Sequence, residues 1–248
     1  MKNFIRSLSV LLFIIAIISF REPTLTIWMI GDSTMSVKQP DKRPETGWGM
    51  PFAEMFDSRV TIHNRAMNGR STKSFIAENR WKAILDSIQE GDYVFIQFGH
   101  NDESKEKVGR YTPPDEYKTN LVKFVQETRL KKGIPVLFTP VVRRRFDSVN
   151  RFYDVHGVYP DKVREVAKEY NVLLIDIHQL SEQLLINLGN EGSLKLFNHL
   201  KPGEHPNYPN GITDDTHFNE YGAYRMAELV KQAIIDQKLP IATFIKQK

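Results

Sequence analysis

The sequence predicts an α/β protein in which a parallel β-sheet is covered by helices on both faces. Five short runs, rich in apolar, β-branched and aromatic residues, recur along the chain: Leu25–Ile30, Val60–Ala66, Tyr93–Phe98, Ile134–Thr139 and Val172–Asp176. Most of them are continuously apolar, which is the pattern of strands buried on both faces. Helical segments separate them, one through Phe52–Phe56 and amphipathic ones near Tyr117–Lys131 and Asp161–Tyr170, with a last helix near Glu220–Gln237. Strands alternating with helices imply parallel crossover units.

Taken in order, the first run opens into Gly31-Asp32-Ser33-Thr34, a turn-forming tetrapeptide. The second ends at Asn68-Gly69, the third at Gly99-His100-Asn101-Asp102 and the fourth at Arg143-Arg144-Arg145. The Pro- and Asn-rich stretch Lys201–Gly211 reads as a loop leading into Asp214-Asp215-Thr216-His217. No internal repeat, low-complexity tract or domain-scale linker interrupts the pattern, so residues 21–248 read as one domain.

The chain has 248 residues, 41% hydrophobic and 26% charged, ordinary values for a globular domain with a full core. Residues 1–20 differ from the rest. Lys2 and Arg6 precede the apolar run Leu8–Phe20, which is short for a bilayer span and has the layout of a secretory signal peptide. Export to the periplasm or the extracellular space of a bacterium is therefore expected. An uncleaved N-terminal anchor is the alternative, because no Ala-x-Ala site follows. Without this segment two basic residues leave and the formal charge falls from +4 to +2. No basic helix or aromatic–basic repeat suggests nucleic acid as a partner. The chain contains no cysteine, which excludes disulfides, a thiol nucleophile and a lipobox anchor.

In open parallel sheets, ligands bind in the crevice beyond the carboxyl ends of the strands. Four successive strand ends here carry polar clusters, and that convergence points to an enzyme. Acyl transfer requires a nucleophile, a base, a group orienting the base, and donors for the oxyanion. Ser33 supplies a hydroxyl at a turn whose amides point outward. His217 can take its proton, and Asp214, three residues earlier, can hold the imidazole, with Asp215 a poorer fit. The Ser33 amide, the Gly69 amide and the Asn101 side chain are candidate oxyanion donors. A histidine base predicts activity that rises with pH through the ordinary imidazole range, roughly 6–7.

Each motif is weak alone, since Ser after a strand is usually a turn former and Asp-x-x-His occurs in surface caps. Together, Gly31-Asp32-Ser33, Gly69, Gly99-His100-Asn101-Asp102 and Asp214-x-x-His217 resemble the four blocks of SGNH (GDSL-type) hydrolases. The segments GDSTMS, TGWGMPF, NRAMNGRST, FGHND, TPVVRRRF, HGVYP and DDTHFNEYGA resemble the rhamnogalacturonan acetylesterase branch, from about residue 25 to 235. The resemblance implies a three-layer α/β/α flavodoxin-like fold with five parallel strands. It also implies a cofactor-independent serine esterase that removes acetyl groups from pectic polysaccharide. Acetylated xylan, another acetylated sugar, a small acyl ester or a lipid are the alternative substrates; a carbohydrate-binding protein without catalysis is the rival class. An α/β-hydrolase of the lipase type does not fit, because Gly-x-Ser-x-Gly is absent.

Three further residues are candidates for substrate binding. Arg143 and Arg144 could clamp a uronate carboxylate or form a solvated basic loop. Trp48, between two glycines, is either a platform for sugar or a core residue. His156 and Tyr159 fit a cleft wall or a structural role. His199 and His205 lack metal-ligand spacing, so no metal site is expected.

Overall fold

The computed structural model describes residues 24–246. The expected signal peptide, residues 1–20, lies outside the described residues. Strands β1 (Leu25–Gly31), β2 (Val60–Asn64), β3 (Tyr93–Gln97), β4 (Ile134–Phe138) and β5 (Leu173–Ile175) form one parallel sheet in the order β2-β1-β3-β4-β5. This is the expected five-stranded flavodoxin-like order, with the chain reversing direction of growth after β2.

Because side chains alternate along a strand, each strand feeds two cores. Ile27 and Met29 of β1, Phe95 of β3 and Val136 and Phe138 of β4 point to one face. There they meet α1 (Gly49–Ala53), α6 (Ile177–Ser193) and α7 (Glu220–Asp236). Trp28, Ile30, Val94, Ile96 and Leu137 point to the other face. That face is closed by α2 (Thr72–Ala77), α3 (Arg80–Leu85), α4 (Pro114–Leu130) and α5 (Tyr159–Glu169). The predicted helices therefore exist with slightly shifted ends, α1 lying three residues earlier than expected. Two six-residue helices, α2 and α3, and the long α6 were not foreseen.

Lys201–Gly211 is the expected loop leading into Asp214–His217; unexpected is the antiparallel hairpin that it connects, β6 (Phe197–Leu200) with β7 (Ile212–Phe218). The ladder pairs Asn198 with Asp214 and then Phe197 with Phe218, so residues 215–217 bulge out unpaired. A bulge re-aims side chains, and this one does so immediately before α7. Among the described residues no helix is long and apolar enough to cross a membrane.

Candidate active site

Ser33 sits two residues beyond β1, past the carboxyl end of that strand. Asp32 shapes the turn: its Oδ1 accepts from the Thr34 amide at 2.9 Å and the Thr34 hydroxyl at 2.8 Å. Burial pushes the Asp32 carboxyl up, opposed by those Thr34 bonds. The turn lies tight against β3. A Cβ on Gly31 would fall 2.5 Å from the Gln97 carbonyl oxygen, so no larger residue fits there.

His217 arrives from the bulge of β7. Asp214 Oδ1 accepts the amides of Thr216 and His217 at 2.8 and 3.0 Å, which closes the bulge on itself. The other oxygen, Oδ2, lies 2.7 Å from His217 Nδ1, and His217 Nε2 lies 2.9 Å from Ser33 Oγ. A carboxylate on Nδ1 fixes the tautomer that keeps Nε2 free to accept from the serine hydroxyl. Burial works against ionising Asp214, but the His217 contacts and the two amides outweigh it and hold its pKa at about 2. The carboxyl is thus an anion across the working range.

Asp215 points the other way, into Arg144 (2.9 Å), Arg145 (3.2 Å) and His199 (3.0 Å). The structure therefore gives Asp214, not Asp215, the contact with His217.

The loops that carry the other block residues are tied to one another. Gly69 has φ of +74°, a conformation that favours glycine, and a Cβ there would meet only the flexible end of Arg110 at 3.1 Å. Asn101 Nδ2 donates to the Arg70 carbonyl at 3.1 Å, which ties its amide to the segment carrying Gly69 and leaves its second proton free. Asp102 strengthens that tie from below, accepting from the Thr72 amide (2.9 Å) and hydroxyl (2.6 Å).

Three sequence-level candidates are corrected. Trp48 is no sugar platform: its ring is fully buried against Phe52 and Phe138, and its Nε1 donates to Gln97 Oε1 at 2.6 Å. The glycines beside it pack against backbone and side chains rather than open a binding face. Arg143 does not await a substrate carboxylate. Its guanidinium forks onto Glu103 (2.9 and 3.2 Å) and reaches Thr216 Oγ1 (2.8 Å) and the His100 carbonyl (3.2 Å). Arg144 is likewise engaged by Asp215, Ser193 and Asn190. Both arginines are ion-paired braces that hold the β4 loop to the bulge, aided by the Arg144 amide on the Asp215 carbonyl at 2.8 Å.

His156 and Tyr159 take structural roles. His156 is buried between Glu103 and the Val141 carbonyl, and the Tyr159 hydroxyl donates to the Thr112 carbonyl at 2.7 Å. Among the described residues, His100, Glu103 and His156 bring potential ligand atoms within 4.8 Å of one another. Glu103 is already shared by Arg143 and His156, and a cation there would face the Arg143 guanidinium. Burial and the charge of Arg143 push the pKa of His100 far down, so its ring is neutral.

Sequence reasoning passed over Lys38, whose ammonium reaches the carbonyl of Ser33 at 2.6 Å. A lysine in Val37-Lys38-Gln39 carries no sequence signal of burial; only its distance of five residues from the serine marks it.

The profile of the GDSL-like lipase/acylhydrolase family matches residues 29–225. The chain belongs to this family. As a member it is a carboxylic ester hydrolase of the SGNH type. It is 41% identical over 217 residues to the rhamnogalacturonan acetylesterase RhgT of Bacillus subtilis, covering 88% of this chain and 92% of that protein. The probable rhamnogalacturonan acetylesterase YesY of the same organism is 37% identical, over 90% and 98% of the two chains. Among solved structures, YxiM of B. subtilis superposes with a TM-score of 0.72 at 26% identity over 88% of this chain; the match spans 58% of the length of that protein. The acetylxylan esterase Axe2 of Geobacillus stearothermophilus shares the fold, with a TM-score of 0.59 at 18% identity over 84% and 93% of the two chains.

Proposed function

We propose that this protein is an exported serine esterase that removes acetyl groups from rhamnogalacturonan through an acetyl-serine intermediate. The observation that carries the mechanism is the continuous hydrogen-bonded chain from Ser33 Oγ through His217 to Asp214. In this reading Ser33 Oγ attacks the acetyl carbonyl carbon while its proton passes to His217 Nε2. The carbonyl oxygen becomes an anion held by the Ser33 and Gly69 amides and the free proton of Asn101 Nδ2. Collapse breaks the ester C–O bond, and the imidazolium returns the proton to the departing sugar hydroxyl. Water, deprotonated by His217, then attacks the acetyl-serine; the C–Oγ bond breaks, the imidazolium returns the proton to Ser33 Oγ and acetate leaves.

The pectic substrate is supported by the two relatives named rhamnogalacturonan acetylesterases, both matched over nearly their whole length. The likeness to the acetylxylan esterase lies at the level of fold, so acetylated xylan is the second reading. Export rests on the Lys2–Phe20 pattern, and N-terminal sequencing of the protein recovered outside the cytoplasm tests it.

The deciding experiment measures acetate release from acetylated rhamnogalacturonan, acetylated xylan and 4-nitrophenyl acetate, with Ser33→Ala as control. Release from the pectic polymer in preference to xylan, abolished in the variant, is the expected result. Turnover that survives Ser33→Ala would rule out the acetyl-serine route. Equal rates on both polymers would overturn the substrate assignment alone.

A further inference from the structure

Lys38 lies in the segment joining β1 to α1, and its side chain is completely buried. A buried ammonium is costly unless acceptors and a counter-charge compensate it. Nζ donates to the main-chain carbonyl oxygen of Ser33 at 2.6 Å and to Asn68 Oδ1 at 2.8 Å, and it forms an ion pair with Glu45 Oε1 at 2.7 Å. Ser36 runs a parallel bridge, its hydroxyl 2.5 Å from Asn68 Oδ1 and 3.3 Å from the Ser33 carbonyl. Burial pushes the Lys38 ammonium pKa down, and the Glu45 carboxylate is the principal group opposing that.

Two of these acceptors are informative by position. One is the carbonyl of Ser33 itself. The other belongs to Asn68, the residue immediately before Gly69. The ammonium therefore joins, by one rigid three-way contact, the two turns whose amides would face the developing oxyanion. Main-chain hydrogen bonds from the Arg65 and Met67 amides to the Met29 and Gly31 carbonyls carry the β1–β2 pairing to the base of both turns, and beyond Gly31 and Met67 the link passes to side chains.

We propose that Lys38 is a positioning residue for ester hydrolysis: its ammonium sets the spacing between the Ser33 turn and the Gly69 turn, keeping their N–H groups aimed at one point. The inference rests on the esterase reading above. A neutral side chain in its place would offer fewer donors, and the two turns would separate. Misplacement of oxyanion donors by about 1 Å costs on the order of 10²-fold in rate.

The test compares wild type, Lys38→Met/Glu45→Gln and Asn68→Ala on 4-nitrophenyl acetate. The double variant removes both charges of the ion pair together, while the buried Asp32 keeps its bonds from Thr34. Asn68→Ala severs the clamp at its Gly69 end along with the Ser36 bridge to the same oxygen, so its folding is checked by its thermal midpoint and Ser36→Ala, which cuts that bridge alone, serves as its control. Each protein is titrated with an irreversible serine-directed phosphonate, so kcat is expressed per reactive Ser33. The expected result is a fall in kcat of about 100-fold for the double variant and about 10-fold for Asn68→Ala, with KM within about threefold. A purely structural role would lower the titratable fraction and leave kcat per site untouched. Per-site kcat within about threefold of wild type in Asn68→Ala, or in a folded double variant, would overturn the proposal. Wild type without turnover or titratable serine would instead sink the esterase reading, a distinct outcome.

Discussion

At the residue scale, the neighbouring carboxylates Asp214 and Asp215 are separated by what each one touches. Asp214 holds His217 Nδ1 at 2.7 Å, whereas Asp215 is bound by two arginines and a histidine. Asp214→Asn should lower kcat by on the order of 10³–10⁴, because an amide can offer the imidazole the wrong partner and the wrong tautomer follows. Asp215→Asn should cost about tenfold at most, through loosened bracing. Steady-state kinetics of the pair on 4-nitrophenyl acetate checks this, and equal losses would contradict the assignment. Ser33, Gly69, Asn101, Asp214 and His217 stand out in the sequence because each belongs to a short motif at a strand end or before a terminal helix, and the structure joins Ser33, His217 and Asp214 in one hydrogen-bonded chain. For Trp48 the core alternative holds, while Arg143 and Arg144 fit neither reading, for a physical reason. Residue type gives the chemistry a side chain can do, but not the direction in which it points. The partners that engage the two arginines, Glu103, Thr216, Asp215 and Asn190, come from distant segments.

At the scale of elements, Asp102 links the loop after β3 to the start of α2. Its carboxyl is fully buried, and burial lifts its pKa to about 7 against the bonds from Thr72. The sign of the linkage follows. Between the unfolded value of 3.8 and about 7, the folded protein keeps a proton that the unfolded chain has lost. Stability should therefore fall as pH rises through that window, by on the order of 4 kcal/mol in all. Urea unfolding at pH 5 and pH 8 should register the loss, and Asp102→Asn should flatten this contribution; an unchanged slope in the variant would refute it. The five strands were readable from their apolar runs. Helices α2 and α3 escaped notice because six residues hold too few turns to establish a period. The hairpin escaped because residues 215–217 leave the ladder and break the two-residue alternation that marks a strand.

At the scale of the whole molecule, one sheet serves both hydrophobic cores. Trp28 and Ile30 anchor one face while Ile27 and Met29 anchor the other, from the same strand. Losing either helical layer exposes the sheet that the other layer needs. Heat should therefore unfold the protein in a single cooperative step, with calorimetric and van't Hoff enthalpies equal. Reductant should leave the midpoint unchanged, since the chain has no cysteine. Two resolved calorimetric transitions would show that the layers separate independently. The parallel architecture was legible from alternating strands and helices, since residues that pack locally also announce themselves locally. The braces between β4 and β7 were not, because ion pairs across the fold leave no periodic trace.

The bulge of β7 has a consequence for heredity. Asp214 and His217 are encoded within four codons, and the bulge that sets their mutual geometry is closed by the carboxylate of Asp214 itself. A recombination event that exchanges the hairpin with that of a relative carries acid and base across as one inherited piece. Only their distance to the serine is then left for later substitutions to adjust.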